Sequence, residues 1–234
     1  MIKVLSDVVD KYLSLPQFTI AIRRDATRNQ YAYLLRKLCE LKYKGKTVGS
    51  VAIDKLRPST CQDLYYLMIK QSQGEGVRGA NYTVQVAVRA WNVLIKHDLL
   101  DRNPWSLVER MQAAPRHTVW TNANFESILK TAFAERRWRN IGLLIRINAE
   151  LGQRAGDMRL VQWENFDLEQ QLYVRESIEK TREHIPGIPI SDNLKRMIID
   201  QKEYYAFQPW VVPNPNTMEP YTESGLRNTF RRLA

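Results

Sequence analysis

Three residues in the C-terminal half have the types and spacing for chemistry on a phosphate. Arg154 lies in Leu151-Gly-Gln-Arg-Ala-Gly-Asp157, a glycine-marked junction between two apolar helical runs, and Asp157 follows three residues later. If this segment opens a helix, the two share a face and the carboxylate can orient the guanidinium. A guanidinium held in that way offers two donors at once to a phosphate. Lys180, between Glu179 and Thr181 in the connection of two strand-like runs, is a long cation that can reach a groove and donate a proton. The plain alternatives are a surface ion pair for Arg154 with Asp157 and a solvated turn for Lys180.

The elements that must position these residues are mostly helical. Phe125, Ile128, Leu129 and Phe133 predict a helix from Asn122 to Arg137, capped by Thr121 or Asn122. An apolar helix from Trp138 to Glu150 follows, and Gly152 stops it. Trp163 to Phe166, Leu172 to Glu176 and His184 to Ile190 then read as a small antiparallel meander, with Pro186 and Pro189 placing the last run at an edge. Helical patterns resume at Asp192 to Tyr205 and at Thr222 to Ala234, with a proline-rich loop between them.

The N-terminal half reads as a helical bundle. Helices are predicted over residues 3–13, 20–42 and 59–71, with a polar link over residues 44–50. Gly74, Gly76 and Gly79 read as a turn; they lack the Lys-Ser or Lys-Thr of a phosphate-binding loop. From Asn81 to Leu100, Val84, Ala87, Val88, Trp91, Leu94 and Ile95 mark one face as core. Gln85, Arg89, Asn92 and Lys96 lie on the other, available to phosphate or simply solvated. The polar stretch Gln112 to Thr121 marks a boundary, giving domains of 1–111 and 121–234 joined by a linker over 112–120. The fold class is therefore mainly α with a small antiparallel β-sheet in two domains.

Thirty-five Lys and Arg against 25 Asp and Glu leave a formal net charge of +10 over 234 residues, which favours a polyanionic partner. Cys39 and Cys61 sit in apolar helical patterns and read as buried free thiols of a reducing compartment. His97, His117 and His184 have no Cys or His at ligand spacing, so no metal is expected. No apolar run approaches a membrane span and no signal-peptide core opens the chain, which points to a cytoplasmic protein.

The run Ile141 to Asp167, with Gly152-Gln-Arg-Ala-Gly-Asp157, Leu160 and Trp163-Glu-Asn-Phe-Asp167, resembles the first arginine motif of the tyrosine recombinase (phage integrase) family. Glu179-Lys-Thr181 before His184-Ile-Pro-Gly-Ile-Pro-Ile-Ser191 looks like the family's lysine hairpin. Ala80 to Pro104 looks like the end of its N-terminal core-binding domain. The resemblance covers most of the chain and implies a core-binding domain followed by part of an α+β catalytic domain.

It also implies site-specific strand cleavage and rejoining in double-stranded DNA through a 3′-phosphotyrosine, without metal or nucleotide cofactor, by a homotetramer in the cytoplasm at the nucleoid. Arg154 would stabilise charge on the phosphate, Asp157 would hold that site together, and Lys180 would protonate the leaving 5′ oxygen. Arg28, Arg78, Asn81 and Arg89 are the expected DNA contacts of the first domain. The family's nucleophilic Tyr lies further along than Tyr204, Tyr205 or Tyr221, and the chain stops at Ala234, so a C-terminally truncated recombinase is expected. Arg227, in Ser224-Gly-Leu-Arg-Asn-Thr-Phe230, mimics the second arginine motif with Ser224 where its His belongs; the favoured alignment makes Thr222 to Ala234 the helix before that motif. A non-catalytic DNA-binding protein, either a regulator or a decayed recombinase, is the alternative.

Overall fold

The computed structural model describes residues 2–71, 76–115, 119–175 and 185–233. The chain divides into two compact units, Met1–Arg116 and His117–Ala234.

In the first unit, α1 (Leu5–Ser14) buries Leu5, Val8, Val9 and Tyr12 along one stripe. It stops before Pro16, which opens the short α2 (Pro16–Thr19) at the position where its missing N–H costs nothing. The next helix, α3 (Asp25–Glu40), starts five residues later than its apolar pattern predicts. Its start is displaced because the Arg28 guanidinium turns back onto the Ile22 carbonyl and pairs with Asp25, closing a turn ahead of the helix.

The predicted polar link folds instead as a two-stranded hairpin, β1 (Lys42–Tyr43) and β2 (Lys46–Thr47), with Lys42 opposite Thr47. Lys44 and Gly45 both have positive φ, 49° and 78°, the turn whose twist matches that of the strands.

Two longer helices complete this unit. In α4 (Pro58–Gln71) Cys61, Leu64 and Tyr65 are buried. The last, α5 (Gly76–Ile95), takes Gly76 and Gly79 into its first turns, correcting the turn predicted there; Gly74 lies outside the described residues. Ala80, Thr83, Val84, Ala87, Trp91 and Leu94 are buried along one side of this helix, and that packing outweighs the roughly 1 kcal/mol that each glycine costs a helix. A 3₁₀ turn at Pro104–Leu107, whose Asn103 side chain accepts from the Trp105 N–H at 3.1 Å, sets Trp105 edge-on to Trp91 in the core.

The second unit begins with α6 (Asn122–Ala134), where Thr121 and Asn124 satisfy each other's amides in a capping box. Helix α7 (Arg139–Leu151) buries Leu143, Leu144, Ile147 and Leu151, and the single-turn α8 (Ala155–Met158) follows. Strands β3 (Phe166–Asp167), β4 (Leu172–Arg175) and β5 (Ile185–Pro189) form an antiparallel meander in chain order, with Phe166 opposite Tyr173 and Tyr173 opposite Ile188. The first strand is shorter than predicted because Trp163–Asn165 turns as a 3₁₀ helix capped by Gln162. β5 carries its prolines at the sheet edge, where a missing donor is tolerated.

Helix α9 (Asp192–Tyr205) packs Leu194 and Ile198 against α7, Tyr173, Val211 and Val212. The last helix, α10 (Glu223–Leu233), closes a smaller cluster with Ile128, Ala132, Ile141 and Tyr221.

Candidate functional site

Arg154 is presented by a helix end. The last turn of α7 closes with the Gly152 N–H on the Asn148 carbonyl at 3.0 Å, and Gly152 adopts φ 62°, the left-handed cap that glycine takes without strain. Two residues on, Arg154 is extended at φ −69°, ψ 137°, immediately before α8. Its carbonyl receives the N–H groups of Asp157 at 2.9 Å and Met158 at 3.0 Å.

The side chains of the pair part company. Arg154 is exposed, whereas Asp157 is only 6% exposed. Among the described residues no ion pair joins them, since Arg154 precedes α8 and Asp157 sits within it. Asp157 therefore bears on Arg154 through the backbone of this turn. Lys180 lies outside the described residues, between the ends of β4 and β5.

The turn is braced from below. Arg159 donates from Nη1 to the Tyr221 carbonyl at 3.1 Å, joining the end of α8 to the approach to α10. Burial pushes the Tyr221 phenol up to about 12, so it stays neutral and packs as an apolar ring. Tyr204 and Tyr205 lie on the last turn of α9, where the Tyr204 ring stands 4.7 Å from the Arg139 guanidinium. On α10, Leu226 and Phe230 turn inward, and Arg227, Arg231 and Arg232 are exposed.

In the first unit the polar face of α5 forms a groove. Gln85, Arg89, Asn92 and Lys96 are all exposed and, together with Gln17 and His97, line a depression of about 500 Å³. Among the described residues no acidic side chain lines it. Arg89 donates from Nε to the Tyr12 hydroxyl at 3.3 Å, which holds the guanidinium over the groove. Burial raises the Tyr12 phenol above its ordinary value and Arg89 works against that shift. Asn92 accepts from Asn103 Nδ2 at 2.7 Å, which fixes its amide. Gln17 and His97 were not expected here; Gln17 comes from α2, which no spacing within α5 could reveal, and His97 sits just past the end of α5 beside Lys96.

The other three expected contacts are engaged within the protein. Arg28 holds Ile22 and Asp25. Asn81 accepts from the Tyr65 hydroxyl at 2.8 Å and donates to the Met111 carbonyl at 2.9 Å, while the Met111 N–H donates to the same hydroxyl at 2.7 Å. Arg78 is exposed, with Nη2 donating to the Ala114 carbonyl at 2.8 Å. Only Arg89 among the four lines the groove.

Among the described residues no group of three or more His, Cys, Asp or Glu could hold a metal ion, and no helix is long and apolar enough to cross a membrane. Burial pushes the Cys39 and Cys61 thiols up to about 12, with Asp10 and Glu40 adding to the shift at Cys39.

No protein-family model and no curated protein sequence matches the chain. Solved structures do. Over 98% of its length the chain is similar to lambda integrase in a dimer bound to a COC′ core site, with a TM-score of 0.77 and 16% identity, and it spans 62% of that chain. A lambda integrase tetramer bound to a Holliday junction gives the same TM-score and identity, with 65% of that chain spanned. The Tn1549 transposon integrase in complex with a circular intermediate DNA matches over 99% of this chain and 77% of its own, at a TM-score of 0.72 and 14% identity. The chain has the tyrosine recombinase fold of these integrases.

Proposed function

We propose that the chain binds duplex DNA and belongs to a site-specific recombinase that cleaves and rejoins strands through a 3′-phosphotyrosine. The observation that carries this reading is Arg154, held out to solvent by the Gly152 cap on a fold shared with DNA-bound integrases. In this reading Arg154 binds the non-bridging oxygens of the scissile phosphate and stabilises the charge that grows there as the phosphorus becomes five-coordinate. Asp157 anchors the turn that carries Arg154, and Lys180 protonates the departing 5′ oxygen.

The α5 groove, basic and free of acidic lining, takes the DNA backbone, with Arg89 and Lys96 as phosphate ligands. The first unit then acts as the core-binding domain and the second as the catalytic one. None of Tyr204, Tyr205 and Tyr221 is assigned the attack: Tyr221 is buried and neutral, and the other two belong to α9. A non-catalytic DNA-binding protein on the same fold is the second reading. A homotetramer acting at the nucleoid is the assembly proposed for strand exchange, by likeness to the lambda integrase tetramer.

Duplex binding as a function of salt tests the reading. The logarithm of affinity should fall linearly with that of salt, with a slope of about −0.9 for each phosphate neutralised. Affinity that is indifferent to salt overturns it. Trapping of a covalent DNA adduct separates the recombinase from the non-catalytic protein.

A further inference from the structure

We infer that Glu150 is a positioning residue for Arg154, acting through a clasp between the end of α7 and the start of α9. This inference rests on the proposed role of Arg154 as a phosphate ligand.

Glu150 occupies the last turn of α7, where the carbonyl end of the helix disfavours a negative charge. Its carboxylate is nevertheless kept there, only 17% exposed, and both oxygens are used. Oε1 accepts from the Ser191 N–H at 2.5 Å, and Oε2 accepts from the Ser191 hydroxyl at 3.0 Å. Ser191 is in turn the cap of α9, its Oγ accepting from the Leu194 N–H at 3.1 Å. Arg146, one turn earlier on α7, approaches Oε2 at 3.4 Å and offsets the charge.

The carboxylate is thus unfavourably placed for its own helix and well placed for the next, whose N-terminus welcomes an anion. It ties together two points with different neighbours. One is two residues from Gly152 and four from Arg154; the other lies two residues beyond the end of β5. Between Gly152 and α8 the chain is extended and Arg154 is exposed, so the arginine stands where the two ends of this turn put it: α8 on one side, with Asp157 and Met158 buried, and the clasped end of α7 on the other. Releasing the clasp frees the last turn of α7 to rotate or fray, and Arg154 moves with it.

The test reads Arg154 directly. Arginines of the protein bound to a short DNA duplex are modified with phenylglyoxal, and protection is quantified peptide by peptide. In the parent protein DNA should protect both Arg154 and Arg89. In Glu150→Ala the protection of Arg154 should fall about tenfold while that of Arg89 is unchanged, a loss in the range of coupling between neighbouring groups. Glu150→Gln, which keeps one acceptor for the Ser191 N–H, should restore part of it and serves as the deciding variant if Glu150→Ala does not fold. Arg154 protection that is unchanged in folded Glu150→Ala and Glu150→Gln overturns the inference. Absence of Arg154 protection in the parent, with Arg89 protected, overturns the phosphate role of Arg154 and the inference with it.

Discussion

Arg154 and Asp157 are joined by a 2.9 Å hydrogen bond from the Asp157 N–H to the Arg154 carbonyl, yet one side chain faces solvent and the other is 6% exposed. In the proposed phosphate site one turn would separate two duties, with the inward carboxylate serving the scaffold and the outward guanidinium the ligand. Their substitutions should separate in the same way. Asp157→Ala removes a buried, partnered carboxylate and should cost about 1–3 kcal/mol of stability. Arg154→Ala should stay within about 0.5 kcal/mol of the parent, as exposed positions do. In the enzyme that carries the nucleophile, Arg154→Ala should also abolish the covalent DNA adduct and leave duplex binding mostly intact. Denaturant melts and adduct trapping check the pair, and a normal adduct yield in Arg154→Ala sinks its catalytic assignment.

Gly152→Ala isolates the cap. A methyl group there meets nothing within 4 Å, so the only cost is holding a non-glycine residue at φ 62°. That strain is about 1–2 kcal/mol. The melting curve should shift by that amount, and in the enzyme that carries the nucleophile adduct formation should fall further than stability alone explains, because the cap sets the direction in which the chain enters Arg154. An adduct yield equal to the parent's in the folded variant shows that the turn is placed by other contacts.

The parts of the fold that were legible in sequence are those fixed by local chemistry. Thr121 announces the start of α6, Gly152 the end of α7, and the helical pattern from Asp192 the start of α9. The sheet was legible as three short runs broken by polar turns, because hydrogen bonding between neighbouring strands needs only adjacency. Less was legible where packing overrides local preference. Lys44 at positive φ is not a residue that advertises a tight hairpin, and Gly76 and Gly79 suggest a break that the buried side of α5 prevents. The candidate DNA contacts divide on the same principle. The face shared by Gln85, Arg89, Asn92 and Lys96 follows from helical period alone. That Asn81 is engaged by Tyr65 and Met111, the latter 30 residues away, depends on tertiary contacts that no spacing encodes.

Arg89 and Arg28 should therefore behave differently although both are arginines on helices of the first unit. Arg89→Ala removes a cation from the groove and should reduce the salt slope of duplex binding by about 0.9, the share of one phosphate. Arg28→Ala should leave the slope unchanged and lower stability by about 0.5–1.5 kcal/mol, through loss of the hydrogen bonds that close the turn before α3. Titrations of both variants at several salt concentrations decide the matter. A reduced slope in Arg28→Ala would mean that its guanidinium leaves Ile22 and Asp25 for DNA.

Tyr65 provides a stability test of the same unit. Its hydroxyl donates to Asn81 and accepts from the Met111 N–H, fastening the segment after Trp105 to α4 and α5. Tyr65→Phe keeps the ring and strands both partners, which should cost about 1–3 kcal/mol. Thermal unfolding measures it, and amide exchange at Met111 should accelerate in parallel; an unchanged exchange rate there would show that the hydroxyl does not hold the segment.

The two thiols predict an alkaline limit. In the unfolded chain Cys61 ionises near 9.0, whereas burial holds it neutral in the fold up to about 12. A folded-state value above the unfolded one means that the contribution of the neutral thiol is fully present below pH 9 and is lost progressively as pH rises from about 9 towards 12, where the unfolded chain is favoured by ionisation. Cys39 is displaced in the same direction. Native protein should accordingly resist thiol-specific reagents at neutral pH and react once denaturant is added, since the thiolate is the nucleophile. Cys61→Ala should lose stability at neutral pH through the cavity it leaves, but should decline less steeply between about pH 9 and 11 than the parent does. Urea midpoints measured across that range compare the two slopes; equal slopes would mean that the Cys61 thiol titrates alike in both states.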